Sequence, residues 1–91
     1  MDRDTLYDKA IERYGAEMQQ IVAVEELSEL QKEICKAVRG NDNSDALAEE
    51  IADVEIMIEQ IKKIHHITET EVERWKEYKL NRLEIRIMGG F

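Results

Sequence analysis

No proline interrupts this chain, and only four of its 91 residues are glycine. Helix breakers are therefore almost absent, which points to helices rather than sheets. A single cysteine, Cys35, excludes an internal disulfide and fits a reducing compartment. No stretch approaches the ~20 apolar residues of a membrane span. No apolar run follows Met1-Asp2-Arg3-Asp4, so neither a signal peptide nor a membrane anchor is expected, and the cytoplasm is the expected location. Nor does a basic stripe offset the formal net charge of −8. Such a surface repels a phosphate backbone, which argues against DNA or RNA as a partner. An anionic small molecule could bind only with a cation to bridge it to the protein.

What is present suits a folded helical domain. Hydrophobic residues make up 43% of the chain and charged residues 37%, a balance outside the disordered range. At this length one domain spanning residues 1–91 is expected, and a core so small is commonly completed by partner subunits. Four helices can be read from apolar periodicity. The first runs from about Asp4 to Tyr14 and stops at Gly15, with Leu6, Ala10 and Ile11 as its apolar face. The second runs from about Ala16 to Arg39, with Met18, Ile21, Val22, Leu27, Leu30, Ile34, Ala37 and Val38 apolar. Gly40-Asn41-Asp42-Asn43 breaks it, and Ser44, Asn43 or Asp45 can cap the next helix.

The third helix reaches about His65 on a stripe of Leu47, Ile51, Val54, Ile58, Ile61 and Ile64. Ile56 and Met57 broaden that stripe and suggest burial on two sides. Thr68-Glu69-Thr70-Glu71 fits a capping box. A fourth helix then runs to about Met88 with Val72, Trp75, Leu80, Leu83 and Ile87 apolar, and Gly89-Gly90-Phe91 should fray. On this pattern Trp75 and Cys35 read as core residues. Short connections favour antiparallel neighbours, giving an all-α fold: a small antiparallel bundle of about four helices, completed by oligomerisation into a dimer or tetramer.

Two acidic runs stand out. Glu25-Glu26-Leu27-Ser28-Glu29 lies on the second helix and Glu49-Glu50-Ile51-Ala52-Asp53 on the third. Glu26 and Glu29 are three residues apart, as are Glu50 and Asp53, so each pair shares one side of its helix. If the two helices are antiparallel neighbours, four carboxylates converge. Like charges brought together repel, and partial burial deepens the cost, so such a cluster needs protons or cations. An oxygen-only ligand set suits a hard ion, Mg²⁺ or Mn²⁺. The residues alone leave two readings open: a metal centre of this kind, or acidic positions on a solvated face. A di-iron bundle is disfavoured, because it requires Glu-x-x-His and here Lys62 and Lys63 precede His65 and His66 by three. These histidines instead suit the end of the third helix, where positive charge favours the dipole.

At these residues the sequence resembles the MazG-like family of all-α nucleoside triphosphate pyrophosphohydrolases. The family signature, Glu-Glu-x-x-Glu followed on the next helix by Glu-x-x-Asp, is matched by Glu25, Glu26 and Glu29 and then by Glu50 and Asp53. The likeness spans about residues 14 to 87 and includes Tyr14-Gly15-Ala16-Glu17-Met18-Gln19-Gln20. It implies Mg²⁺-dependent cleavage of a nucleoside or deoxynucleoside triphosphate to the monophosphate and pyrophosphate. It also implies Glu26, Glu29, Glu50 and Asp53 as metal ligands, with Glu25 behind them or orienting water. Members often end on a basic helix with Lys-x-x-Arg-Asn-x-x-Arg. Lys79, Arg82 and Arg86 keep its basic spacing, although Leu83 stands where the asparagine is often found. Lys79, Arg82 and Arg86 would then meet phosphate, and Lys36 and Arg39 are further candidates. Gln19 or Gln20 could read a base edge. Two alternatives remain: a non-enzymatic oligomeric interaction module, and a phosphoribosyl-ATP pyrophosphohydrolase of the same superfamily.

Overall fold

The computed structural model describes residues 1–90, and Phe91, at the end of the segment expected to fray, lies outside the described residues. The described chain is all-helical: α1 is Arg3–Tyr14, α2 Ala16–Val38, α3 Ser44–Ile64 and α4 Glu69–Ile85. A single π-helical turn, Arg86–Gly90, follows α4, with Gly89 leaving helical geometry at φ 150°.

Local chemistry sets each boundary. Asp2 caps α1 by accepting a hydrogen bond from the Thr5 N–H at 2.7 Å. Gly15, at φ 91°, ends α1 and begins α2; its N–H donates to the Ile11 carbonyl and its carbonyl accepts from the Gln19 N–H. A side chain at that φ would be strained, so the sharp change of direction between α1 and α2 depends on glycine. Asn43 occupies the N-cap position of α3, yet its side chain does no capping. Its amide turns back to α2 instead, where it donates to the Glu33 carbonyl at 2.9 Å and to Glu33 Oε1 at 3.0 Å. At α4 the expected capping box is formed. Thr68 Oγ1 accepts from the Glu71 N–H, and Glu71 Oε2 accepts from the Thr68 N–H at 2.8 Å.

α2 and α3 form an antiparallel hairpin. Gln19 meets Gln60 at one end and Glu33 meets Asn43 at the other, so residue numbers fall on α3 as they rise on α2. α1 packs against both and is tied to α3 by Lys63, which reaches Asp4 at 2.6 Å and Asp8 at 3.0 Å. The buried seam of the hairpin differs from the stripe that apolar residues alone suggest. On α2 the inward positions are Gln19, Ala23, Glu26, Leu30, Glu33 and Ala37, alternating in steps of four and three. On α3 Glu50, Val54, Met57 and Ile61 face them. Gln19 donates to Gln60 Oε1 at 2.7 Å inside this seam, and the Gln60 amide leans on the Met57 sulfur. Leu27, Ile34, Ile51 and Ile58, expected inside, sit on the seam's flank and stay between 41% and 48% exposed.

Two core expectations fail, each for its own reason. Trp75 is 58% exposed, and Cys35 is exposed on α2. Cys35 lies on the outward side of its helix, and Trp75 lies on a helix that does not join the bundle. No Cα of α4 comes within 8 Å of α1, α2 or α3. The radius of gyration is 16.4 Å, against about 12 Å for a compact chain of this length. The described residues thus form a three-helix body with a fourth helix standing away from it, not a closed four-helix bundle. Lys76, Lys79 and Arg86 lie among the apolar residues of α4's one apolar side, so a dry intrachain core there would desolvate cations.

Candidate metal centre

The register of the hairpin sets Glu26 on α2 opposite Glu50 and Asp53 on α3, which stand one turn apart. One carboxylate oxygen from each of the three lies within 4.8 Å of the other two, and all three residues are half-buried. The positions follow from the seam. Glu26 occupies an inward place between Ala23 and Leu30, and Glu50 one between Leu47 and Val54, so the packing that forms the hairpin also draws the carboxylates together.

That convergence has an electrostatic cost. Burial pushes the Glu26 carboxyl up to about 7, and the neighbouring Asp53 and Glu50 add to the shift. Glu50 is also raised, first by burial and then by the charge of Asp53, with Glu29 and Glu49 contributing; a hydrogen bond with Glu26 partly relieves it. Below neutral pH a proton on Glu26 can bridge this group. Once that proton leaves, each oxygen can only accept. Glu26 Oε2 and Glu50 Oε2 are shielded from solvent and have no hydrogen-bond partner among the described residues. No lysine, arginine or histidine nitrogen among the described residues pairs with Glu26, Glu50 or Asp53 within 4.0 Å. Shielded oxygens that only accept, held on two packed helices, suit a hard divalent cation, and three protein ligands leave room in its shell for water and phosphate.

The remaining candidates are distributed around this centre. Glu29 is exposed one turn from Glu26; its charge bears on Glu50, but its carboxylate stands outside the group of three. Glu25 is exposed on the outward side of α2. Lys36 lies farther along α2 and is engaged by Glu33 at 3.1 Å. Arg39 caps the C-terminus of α2 and is exposed. Lys79 and Arg82 on α4, and Arg86 just beyond it, are exposed, and no Cα of α4 comes within 8 Å of α2 or α3. Arg82 lies over the Tyr78 ring at 5.8 Å, and Trp75 meets the same ring edge-on. Gln19 is buried against Gln60 and cannot reach a base, while Gln20 pairs with His65 at 2.6 Å.

One buried cluster was not expected from the sequence. Glu33 is buried on α2, where Asn43 and Lys36 donate to it and hold its carboxyl below the usual range. A signal was present: Glu33 lies seven residues after Glu26, at the same place in the seam repeat. No protein family, no curated protein and no solved structure matches this chain.

Proposed function

We propose that this protein is a MazG-like, Mg²⁺-dependent pyrophosphohydrolase. It would cleave a nucleoside or deoxynucleoside triphosphate between the α- and β-phosphates to give the monophosphate and pyrophosphate. The observation that carries this reading is the group of Glu26, Glu50 and Asp53: three half-buried carboxylates, of which Glu26 and Glu50 each have a shielded, unpartnered oxygen, with no cationic side chain paired to them among the described residues. A protein with a formal charge of −8 needs a cation to hold a polyphosphate at all.

In this reading Glu26, Glu50 and Asp53 would hold Mg²⁺ or Mn²⁺, with Glu29 as the fourth ligand. A divalent cation bound there supplies neutralisation of phosphate charge and activation of water. Glu25, exposed on α2, would orient the water that attacks phosphorus. Lys79 and Arg82, with Arg86 beyond them, neutralise the departing pyrophosphate; Lys36 is less suited, because Glu33 already engages it. The protein acts in the cytoplasm on the nucleotide pool, as an oligomer.

The deciding experiment is a panel of ribo- and deoxyribonucleoside triphosphates in excess Mg²⁺, scored for pyrophosphate. Wild type releases it from at least one member, and Glu50→Gln lowers the rate at least about a hundredfold. Absence of pyrophosphate from every nucleotide would remove the enzyme reading and leave an interaction module as the better account.

A further inference from the structure

An antiparallel hairpin built on a regular repeat can close in more than one register. The inward positions of α2 follow one another in steps of four and three, and on α3 Asn43, Leu47, Glu50, Val54, Met57 and Ile61 do the same. Two such stripes fit again after a slide of one repeat, seven residues or about 10 Å along the helices. The apolar contacts do little to forbid that slide. Ala23 and Ala37 are small, and Ala23, Val54 and Met57 are the apolar residues below 9% exposure among those described.

The polar residues of the seam do discriminate, and they stand one repeat to either side of the carboxylate centre. Gln19 lies seven residues before Glu26, and Gln60 seven after Asp53. Glu33 lies seven after Glu26, and Asn43 seven before Glu50. Each pair is joined, Gln19 donating to Gln60 at 2.7 Å and Asn43 to the Glu33 carboxylate at 3.0 Å. Gln19, Glu33 and Gln60 are buried. A slide of seven residues toward the end of α3 would set Gln19 against Ile67, Glu33 against Glu50, and Glu26 against Met57 and Gln60. Gln19 and Asn43 would lose their partners, which is costly for buried polar groups. The reverse slide would carry Gln60 past Ala16, where α2 begins.

We propose that Gln19–Gln60 and Glu33–Asn43 are positioning pairs for the carboxylate centre: they select the one register in which Glu26 stands opposite Glu50 and Asp53. Buried polar residues in other helix seams have this use, fixing register at a cost in stability. The four residues are not ligands themselves and act through Glu26, Glu50 and Asp53. That the gathered carboxylates then hold a divalent cation rests on the reading above; the choice of register does not.

Register can be read as a distance by double electron–electron resonance. Cys35, exposed on α2, takes one nitroxide label, and Glu55→Cys, at an exposed position of α3, supplies the other site. Labelled chain is diluted into a large excess of unlabelled chain, so that only labels within one chain are measured. Mn²⁺ affinity is titrated in parallel on unlabelled protein without nucleotide. The chain with its pairs intact should give one distance. With Gln19→Leu, Gln60→Leu, Glu33→Leu and Asn43→Leu together, helicity should persist and a second distance should appear, as a slide of about 10 Å requires. Mn²⁺ affinity should fall with the fraction of chains that keep the original distance, about tenfold if a tenth of them do. Replacing either pair alone should give a smaller second population. Glu33→Gln, which keeps an acceptor for Asn43, should retain both the single distance and the Mn²⁺ affinity.

A quadruple variant that keeps the single distance, or that does not fold, overturns the proposal, because the pairs would then not be choosing between folded registers. A second distance with Mn²⁺ affinity unchanged overturns the link between register and centre. A second distance in the variant, with no Mn²⁺ bound by wild type, supports the choice of register and sinks the metal reading. Mn²⁺ binding by wild type with an undisplaced variant does the reverse.

Discussion

At the scale of single residues, Glu26 connects packing to chemistry. Its carboxyl titrates near 7 in the fold against 4.5 in the open chain, because burial and the adjoining Asp53 and Glu50 disfavour its charge. Between those two values the folded state holds a proton that the unfolded state has lost. Stability from this group is therefore fully present below about 4.5 and is lost as pH rises through about 7. Asp2, Glu33, Glu69 and Glu71, whose carboxyls are held low, act in the opposite sense, but below the ordinary carboxylate range. Two outcomes follow. In EDTA, Glu26→Gln should melt on the order of 4 °C above wild type at pH 8, with the gap closing near pH 5. Mg²⁺ should raise the wild-type midpoint at pH 8 and leave that of Glu26→Gln nearly unmoved. A calorimetric series at three pH values with and without Mg²⁺ checks both, and a less stable Glu26→Gln at pH 8 would show that the cluster holds the hairpin together.

At the scale of elements, the α2–α3 seam is held in register by polar pairs as well as by packing. The amide of buried Gln19 donates to Gln60 at 2.7 Å. Gln60→Leu strands the Gln19 amide and should cost about 1–3 kcal/mol, whereas changing both residues to Leu should recover most of that loss. Denaturant midpoints of the two single variants and the double variant measure the difference, and additive losses would count against the pair. The four helices, the Gly15 break and the α4 capping box were legible in the sequence, because each rests on a local rule. The inward face of α2 was not. Its seam is built from Gln19, Ala23, Glu26, Leu30, Glu33 and Ala37, and half of those residues are polar or charged. Apolar periodicity instead followed Leu27, Ile34 and Val38, which face outward from this chain. Three of the four carboxylates expected to converge, Glu26, Glu50 and Asp53, do come together, because spacing on a helix does not depend on which face is buried. Glu29 falls outside the group since it lies one turn beyond the seam position of Glu26.

At the scale of the whole molecule, the body and its outlying helix make different demands on stability. The three-helix body contains few buried apolar residues: Ala23, Val54 and Met57 are the apolar residues below 9% exposure among those described. A core this small gives a marginal monomer. α4 has a good cap, but among the described residues its first turn alone is tied to the body by an ion pair, Lys62 to Glu69, and isolated helices of its length are marginal in water. Pairing α4 with a second hairpin would remove both weaknesses at once, because the same contact extends the core and shelters the helix. Unfolding then includes dissociation, and the midpoint must depend on protein concentration. A tenfold dilution within the micromolar range should lower the wild-type midpoint by several degrees, about what 1 kcal/mol gives in a chain this size. Leu83→Asp should melt lower and at one temperature whatever the dilution, having lost the contact that couples α4 to its partner. Its helicity before melting should also fall, as α4 frays without support, while the Glu26-dependent pH response of the body persists. Scanning calorimetry and far-ultraviolet dichroism over that dilution series read all three quantities. A wild-type midpoint independent of concentration would mean that the body is stable alone and that α4 serves something other than a second copy.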